Sequence, residues 1–457
     1  MHNANIKQLL HEHRSYFATG ITKEVSFRLK QLMVLRKAVK DNEDAFSHAL
    51  KVDLNKPPFE AYGGEIAIVL REIDHAVRHL RCWTKPRRVR TPLALFPSKG
   101  FVLREPFGVA LIIGPWNFPV QLMLVPLVGA IAAGNCAVLK PSLAASSTSH
   151  VIAKIISENF APAYVSVLEG GAETAQALLA ERFDYVFFTG GVASGRLVMA
   201  AAAKHLTPVT LELGGKNPCI VDADCDLDVA ARRIVFGKFF NAGQSCVAVD
   251  YLLVDRRIKQ ALLSRMIEQI VKFYGKDPSC SPDLCRIVNE HHFDRLMGLL
   301  QAGNVVIGGG SDRAARYIAP TIIDGISGSE PIMEDEIFGP LLPVLGYDEL
   351  TEAIEFVNNR PKPLALYFFS RNMARQEHAL SGTSSGGGCI NDTLVHFTVA
   401  GLPFGGIGDS GMGTYHGKAS FDTFTHERSI IRNNFLVDVF LRYPPYKDHL
   451  RWLKKIF

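Results

Sequence analysis

Val209-Thr210-Leu211-Glu212-Leu213-Gly214-Gly215-Lys216-Asn217-Pro218 opens the stretch around which the chain is organised, and Phe239-Phe240-Asn241-Ala242-Gly243-Gln244-Ser245-Cys246-Val247-Ala248 closes it. The first part is an apolar, β-branched run that stops at two glycines, the pattern of a buried strand ending in a turn. Glu212 lies inside that run, so desolvation should raise its pKa toward the range of a general base. Cys246 follows a small polar turn, where a thiol can be an accessible nucleophile. Each residue also has a bland reading, Glu212 as a paired structural acid and Cys246 as an inert small hydrophobe.

The 457 residues suffice for two or three domains, and a hydrophobic fraction of 47% fits an ordinary globular protein. A net charge of +5, from 50 basic and 45 acidic residues spread along the chain, suggests no nucleic-acid partner. Eight cysteines lie scattered without a C-x-x-C pair or a Cys/His ligand spacing. They read as reduced thiols in a cytoplasm-like compartment, with no disulfide framework and no metal site. The opening residues are polar, so no secretory signal is expected. Pro106 to Leu139 carries no charged side chain, but its three internal prolines, two asparagines and four glycines favour a buried strand, a loop and an internal helix over a membrane span.

Helical spacing marks Phe27 to Leu50 and, more cleanly, Ile66 to Leu80. Short apolar strands follow near Val109–Ile113, Cys136–Leu139, Tyr164–Leu168, Tyr185–Phe188 and Val209–Leu213. Helix-like segments separate them at roughly 20 to 30 residues, the period of βαβ units in a parallel sheet. Ligands bind at the carboxyl ends of such strands, where Asn117, Lys140, Gly190 and Glu212 fall. The pattern restarts after Lys216, with strands near Cys219–Val221, Tyr251–Val254, Asn304–Ile307 and Leu364–Phe369 and helices near Leu227–Phe240 and Ile258–Tyr274. Arg87 to Phe101, rich in proline and basic residues, looks like an arm outside the sheets.

Two glycine motifs compete as phosphate sites. Phe188-Thr189-Gly190-Gly191-Val192 follows a predicted strand and opens a predicted helix, whose free N–H groups and dipole favour an anion. Gly406, Gly408 and Gly411 match G-x-G-x-x-G formally, but neither a strand before them nor a helix after them is evident, so the context test fails. Glu212 lies 22 residues after Gly190 at the end of the next strand. Spacing alone leaves a ribose ligand and a catalytic base both open.

Seven segments, P-W-N-F-P (115–119), K-P-S (140–142), F-T-G-G (188–191), L-E-L-G-G-K (211–216), G-Q-S-C (243–246), E-I-F-G-P (336–340) and P-F-G-G-I-G-D-S-G-M-G (403–413), resemble the aldehyde dehydrogenase superfamily in content and order. The G-Q-S-C-V-A-V-D-Y run and R-Y-P-P-Y at 442–446 resemble its class 3 branch of fatty and aromatic aldehyde dehydrogenases. The resemblance implies an α/β fold of two doubly wound parallel-sheet domains plus a small oligomerisation arm, usually as a homodimer. It places the dinucleotide-binding domain at 1–84 and 104–211, the catalytic domain at 212–414, the arm at 85–103 and 415–440, and a tail at 441–457. It implies Cys246 as nucleophile, Asn117 with the Cys246 N–H as oxyanion donors, and Glu212 as the residue activating water against the thioester. NADP or NAD would contact Trp116, Lys140, Thr189, Gly190, Gly191, Val192, Glu336 and Phe338, with Glu336 also open as a base in class 3 enzymes.

One departure bears on the cofactor. The family commonly has Glu three residues after the Lys140 position, and this chain has Leu143. Loss of that carboxylate removes a partner for the ribose hydroxyls of NAD and removes repulsion against a 2′-phosphate, so NADP should be accepted at least as well. Phe118, Leu122, Met123 and Phe397 flank the expected entrance and favour a hydrophobic aldehyde. The residues from Arg442 to Phe457 mix basic and apolar side chains, either a packed terminus or a weak membrane-surface contact. Two alternatives share the scaffold: a CoA-acylating or acyl-phosphate-type reductase, which would not need Glu212, and a non-catalytic binding protein.

Overall fold

The computed structural model describes residues 3–92, 95–438, 442–446 and 449–456. Its first large sheet grows from Val109–Ile113, five apolar residues all buried. Cys136–Lys140 and then Val165–Val167 pair in parallel on one side of this strand, and Tyr185–Gly190 and then Val209–Leu213 on the other. The chain therefore winds outward in one direction and then in the other, leaving a topological switch point between Val109–Ile113 and Tyr185–Gly190. Beyond the carboxyl ends at such a point lies the natural crevice for a ligand.

Charge-free residues 106–139 are accounted for by two strands and a central helix. Gln121–Ala133 is apolar on all sides and all thirteen of its residues are buried. It packs on Val109–Ile113, on Cys136–Lys140 and on the helices Val25–Asp41, Ala67–Trp83 and Lys418–Thr423. At about 20 Å it is also too short to cross a bilayer. No helix among the described residues is long and apolar enough to do so.

The chain leaves the first sheet after Leu213 and enters the second at Pro218. In space the second sheet runs Asn304–Ile307, Thr321–Asp324, Leu341–Tyr347, Tyr251–Asp255, Pro218–Val221, Ala365–Phe369, Gly387–Ile390, parallel except for the first pair. A third, antiparallel sheet of Arg87–Val89, Lys99–Pro106 and Thr425–Arg432 is mostly exposed.

Three sequence expectations are refined. The helical stretch from Phe27 to Leu50 is two helices, Val25–Asp41 and Glu43–Leu54, broken at Asn42, whose backbone leaves the helical region. Residues 415–424, read as arm, pack inside: Tyr415, Phe421 and Phe424 are at most 1% exposed, and Tyr415 and Phe424 contact Phe187 of the first sheet. The glycines at 406, 408 and 411 form no strand–turn–helix unit. Instead Gly411–Met412 pairs antiparallel with Leu211–Glu212, adding an edge strand behind Glu212.

Candidate active site

Cys246 is delivered by an irregular turn. The helix Leu227–Phe239 ends in Phe240–Gly243, where Asn241 (φ 53°), Ala242 (φ 53°) and Gly243 (φ 73°) are all left-handed. Only glycine adopts this region without strain, and a Cβ at 243 would lie 2.3 Å from the Gly339 oxygen. Side-chain bonds hold the turn. Asn241 Nδ2 donates to Asn117 O (3.0 Å) and Gln244 O (2.9 Å), and the Asn241 N–H donates to Glu60 (2.9 Å). Gln244 Nε2 donates to Asn241 O and Arg286 O, and its oxygen accepts from the Val288 N–H, each at 3.0 Å. Beyond the thiol, Asn217 Nδ2 donates to Cys246 O (2.7 Å) and Ala248 O (3.0 Å).

Asn117 follows Val109–Ile113 at the switch point and is buried, its Nδ2 donating to Gln244 O (3.1 Å). One amide hydrogen is thereby engaged and the second remains to be offered elsewhere. Glu212 is 3% exposed, and neither carboxylate oxygen has a hydrogen-bond partner. Burial alone pushes its pKa well above the usual carboxylate range. Glu336 is pushed up to about 8, first by burial and then by Asp250, against a bond from the Gly215 N–H and the cations Lys216 and Arg295. The carboxylate packs on Gly214, where a Cβ would lie 1.9 Å from its Oε2. Burial also raises the Cys246 thiol, and the Glu336 and Glu212 carboxylates raise it further.

Two cavities meet at this thiol. One, about 690 Å³ including its open mouth, is lined at the strand ends by Trp116, Asn117, Thr189, Gly190, Gly191, Glu212, Glu336 and Phe338. The other, about 960 Å³ on the same basis, is lined by apolar side chains including Phe118, Leu122, Phe236, Phe240, Phe397 and Phe404. Cys246 and Leu122 line both. Met123, expected at the entrance, is 1% exposed, does not line the apolar cavity and packs against Gly114 instead.

Two of the expected cofactor residues lie outside the cleft lining. Val192 begins the helix Val192–Ala203 immediately after Gly191. Lys140 is buried at its strand end, with Nζ donating to Pro141 O (2.8 Å). Burial lowers its pKa against the nearby Glu173 carboxylate. Leu143 is 59% exposed and presents no polar group. Glu173 was not singled out by sequence, nor were His292 and Arg295, which line the cleft from the helix Glu290–Leu299. The His292 and Phe338 rings lie 5.0 and 5.3 Å from the Trp116 ring, and Arg295 donates to Ile337 O (2.5 Å). Lys238 is fully buried, Nζ has no hydrogen-bond partner, and burial lowers its pKa to about 8. Its only sequence signal is one cation in the apolar run from Ile234 to Phe240.

This electrostatic arrangement is testable on the thiol. Above pH 8 the Glu336 carboxylate is mostly charged and adds to the burial that keeps the thiol protonated. Glu336→Gln is therefore expected to speed alkylation of Cys246 by iodoacetamide at pH 9 by about three- to tenfold, equivalent to half to one pKa unit. Mass spectrometry of the Cys246 peptide measures it, and an unchanged or slower rate contradicts the coupling.

The aldehyde dehydrogenase family model matches residues 2–430. The 4,4'-diaponeurosporen-aldehyde dehydrogenase of Staphylococcus aureus is 48% identical over 454 residues, covering 99% of each chain. Aldehyde dehydrogenase family 3 member B1 of Mus musculus is 49% identical over 441 residues, 96% of this chain and 94% of that one. A solved structure described as the substrate-bound state of Staphylococcus aureus AldH superposes with a TM-score of 0.97 at 48% identity, covering 99% of both chains. The chain thus belongs to the aldehyde dehydrogenase family, in its class 3 branch, and is an NAD(P)-dependent aldehyde dehydrogenase.

Proposed function

We propose that the chain oxidises hydrophobic aldehydes, aromatic or of medium to long aliphatic chain, to carboxylic acids with Cys246 as nucleophile. The observation that carries this reading is the meeting of an apolar tunnel and a more polar cleft at one thiol. The mostly apolar lining, in which Arg71 is the one charged side chain among the described residues, suits an apolar substrate body. A relative named for 4,4'-diaponeurosporen-aldehyde supports the same class.

In this reading the Cys246 thiol first loses its proton to solvent, the thiolate Sγ bonds to the aldehyde carbon, and the carbonyl electron pair moves onto oxygen to give an oxyanion. The free amide hydrogen of Asn117 and the Cys246 N–H donate to it. NAD(P)+, when bound, accepts the hydride that leaves this carbon, so that a thioester remains on Cys246. Glu212 then takes a proton from water, the water oxygen attacks the thioester carbonyl, and the acid departs as the thiolate is restored. A desolvated carboxylate without partners is a strong base once ionised, so this step should quicken as pH rises through its elevated pKa. Glu336 is the alternative base.

Glu336 and Phe338 are assigned to the nicotinamide ribose, Gly190 and Gly191 to the pyrophosphate and Lys140 to the adenosine ribose, with Trp116, Thr189 and Val192 as further cofactor contacts. Buried Thr189 Oγ1 and Glu336 Oε1 have no partner within the protein, as suits a polar ligand. The dinucleotide-binding domain is assigned to the first sheet and the catalytic domain to the second. The oligomerisation arm is assigned to the third sheet, and we start its last strand at Thr425 rather than at 415 because residues 415–424 pack inside. A homodimer in the cytoplasm is proposed, eight free cysteines being consistent with a reducing compartment. A weak membrane-surface contact is proposed for the tail helix His449–Ile456, where Leu450 and Trp452 are more than half exposed beside Arg451.

Formation of reduced cofactor from a panel of aromatic and aliphatic aldehydes tests the chemistry. Cys246→Ala is expected to abolish it, whereas Glu212→Gln should keep a burst of about one equivalent while steady turnover falls by about 10² or more. Turnover that survives without Cys246 sinks the assignment. For the cofactor, NADP is expected to bind at least as well as NAD, and Leu143→Glu to weaken NADP relative to NAD by about tenfold in tryptophan-fluorescence titrations. An unchanged ratio of dissociation constants removes position 143 from the argument. Light scattering should give twice the 50.3 kDa chain mass, and flotation with anionic liposomes should fall when residues 441–457 are deleted. A monomer, or equal flotation, refutes the respective assignment.

A further inference from the structure

We infer that the buried ammonium of Lys56 is a positioning group for Asn117, tying the oxyanion donor to the frame that also holds the nucleophile turn. The inference rests on the proposed role of Asn117 as oxyanion donor. Lys56 and Glu65 form an ion pair with both side chains fully buried, Nζ to Oε1 at 2.6 Å. Such a pair is a poor device for stability alone, because desolvation cancels most of its attraction. What it supplies here is geometry. Lys56 Nζ also donates to the Asn117 carbonyl (3.0 Å) and sits over the Phe118 ring (4.3 Å). The second oxygen of Glu65 accepts from the Val120 N–H (2.9 Å) and the Gln121 N–H (3.1 Å).

Three backbone groups within five residues are thus gripped by one ion pair. Two of them begin the helix Gln121–Ala133, which has no side-chain cap of its own. The Asn117 carbonyl is also the acceptor for Asn241 Nδ2, and Asn117 Nδ2 donates to Gln244 O. Lys56 and Asn241 therefore fix the Asn117 peptide from two directions, and the Asn117 amide in turn braces the turn that presents Cys246. A shift of the donor by a fraction of an ångström would be felt in the barrier, since a 1 Å misplacement can cost about a hundredfold.

A double-mutant cycle tests this. Lys56→Met is combined with Glu65→Gln, so that Glu65 is not left as a buried carboxylate without its cation, and the pair is placed in wild type and in Asn117→Ala. Single-turnover hydride transfer is expected to slow by about 30-fold in wild type and by less than about threefold in Asn117→Ala, with the cofactor dissociation constant unchanged. Equal slowing in both backgrounds would show a merely structural role and overturn the inference while leaving the oxyanion assignment intact. No effect of Asn117→Ala by itself would overturn the assignment and the inference together. Lys56→Arg, which keeps a cation and its donors, runs through the same cycle should the uncharged pair not fold. A smaller loss confined to the Asn117 background supports the inference, and an equal loss in both overturns it.

Discussion

Three successive left-handed residues, Asn241 to Gly243, are the constraint on which the rest of the site depends. Asn241 and Ala242 each hold a conformation disfavoured by about 1–2 kcal/mol for a residue with a Cβ. Such a turn persists only if its surroundings over-determine it. Here they do: Glu60, Asn117, Gln244 and Arg286 all bond to it or to each other across it. Glu60, Asn117 and Arg286 come from segments far from the turn in the chain, so Cys246 stands where several independent elements meet. A strained turn fixed this way presents Cys246 at the boundary of two cavities without a helix or strand to carry it.

The same burial that fixes the turn sets the electrostatics. Glu212, Glu336 and Glu60 are all driven up by desolvation, Glu336 to about 8 and Glu60 to about 7. Lys238 is driven down to about 8. Near neutral pH the Glu336 carboxyl is therefore mostly neutral while Lys238 remains mostly charged, burial having moved both toward the neutral form as expected in a low dielectric. The Glu336 and Glu212 carboxylates, when charged, oppose ionisation of the Cys246 thiol, and their protonation relieves that repulsion. Asn217 adds rigidity without adding charge. Its amide links the carbonyls of Cys246 and Ala248 to the Ala365 N–H, anchoring the Cys246 segment to the second sheet.

Local pattern made much of this legible. Strands in the first sheet follow apolar runs that end in glycine or a charged residue, and Asn117, Gly190 and Glu212 sit at their carboxyl ends because parallel strands share one polarity. The context test correctly excluded Gly406, Gly408 and Gly411 as a dinucleotide turn, though nothing local showed that Gly411 would pair beside Glu212. What stayed hidden depends on distant partners. Lys56 meets Asn117 across 61 residues and Glu60 meets Asn241 across 181. His292 and Arg295 look like any polar helix face until Phe338 and Trp116 are placed beside them. Residues 415–424 are placed in the arm by family resemblance alone, but Tyr415 and Phe424 find an apolar partner in Phe187 of the first sheet and Phe421 in Trp83.

The two cavities also divide the sequence. Backbone turns at strand ends build much of the cleft, and sheet register leaves these little freedom. Residues from elsewhere build the tunnel: Phe59 before and Gly64 within the π-helical turn Tyr62–Ile66, Phe236 and Phe240 near the end of a helix, and Val395, Phe397, Thr398 and Phe404 from the segment that follows the second sheet's last strand. Changes in tunnel width or polarity can therefore occur without disturbing strand pairing, whereas changes in the cleft must respect it. Leu122, at the head of the central helix, is the exception. It lines both cavities, so its size bears on the width of both at once, and the Glu65 carboxylate holds the backbone N–H groups at the start of the same helix.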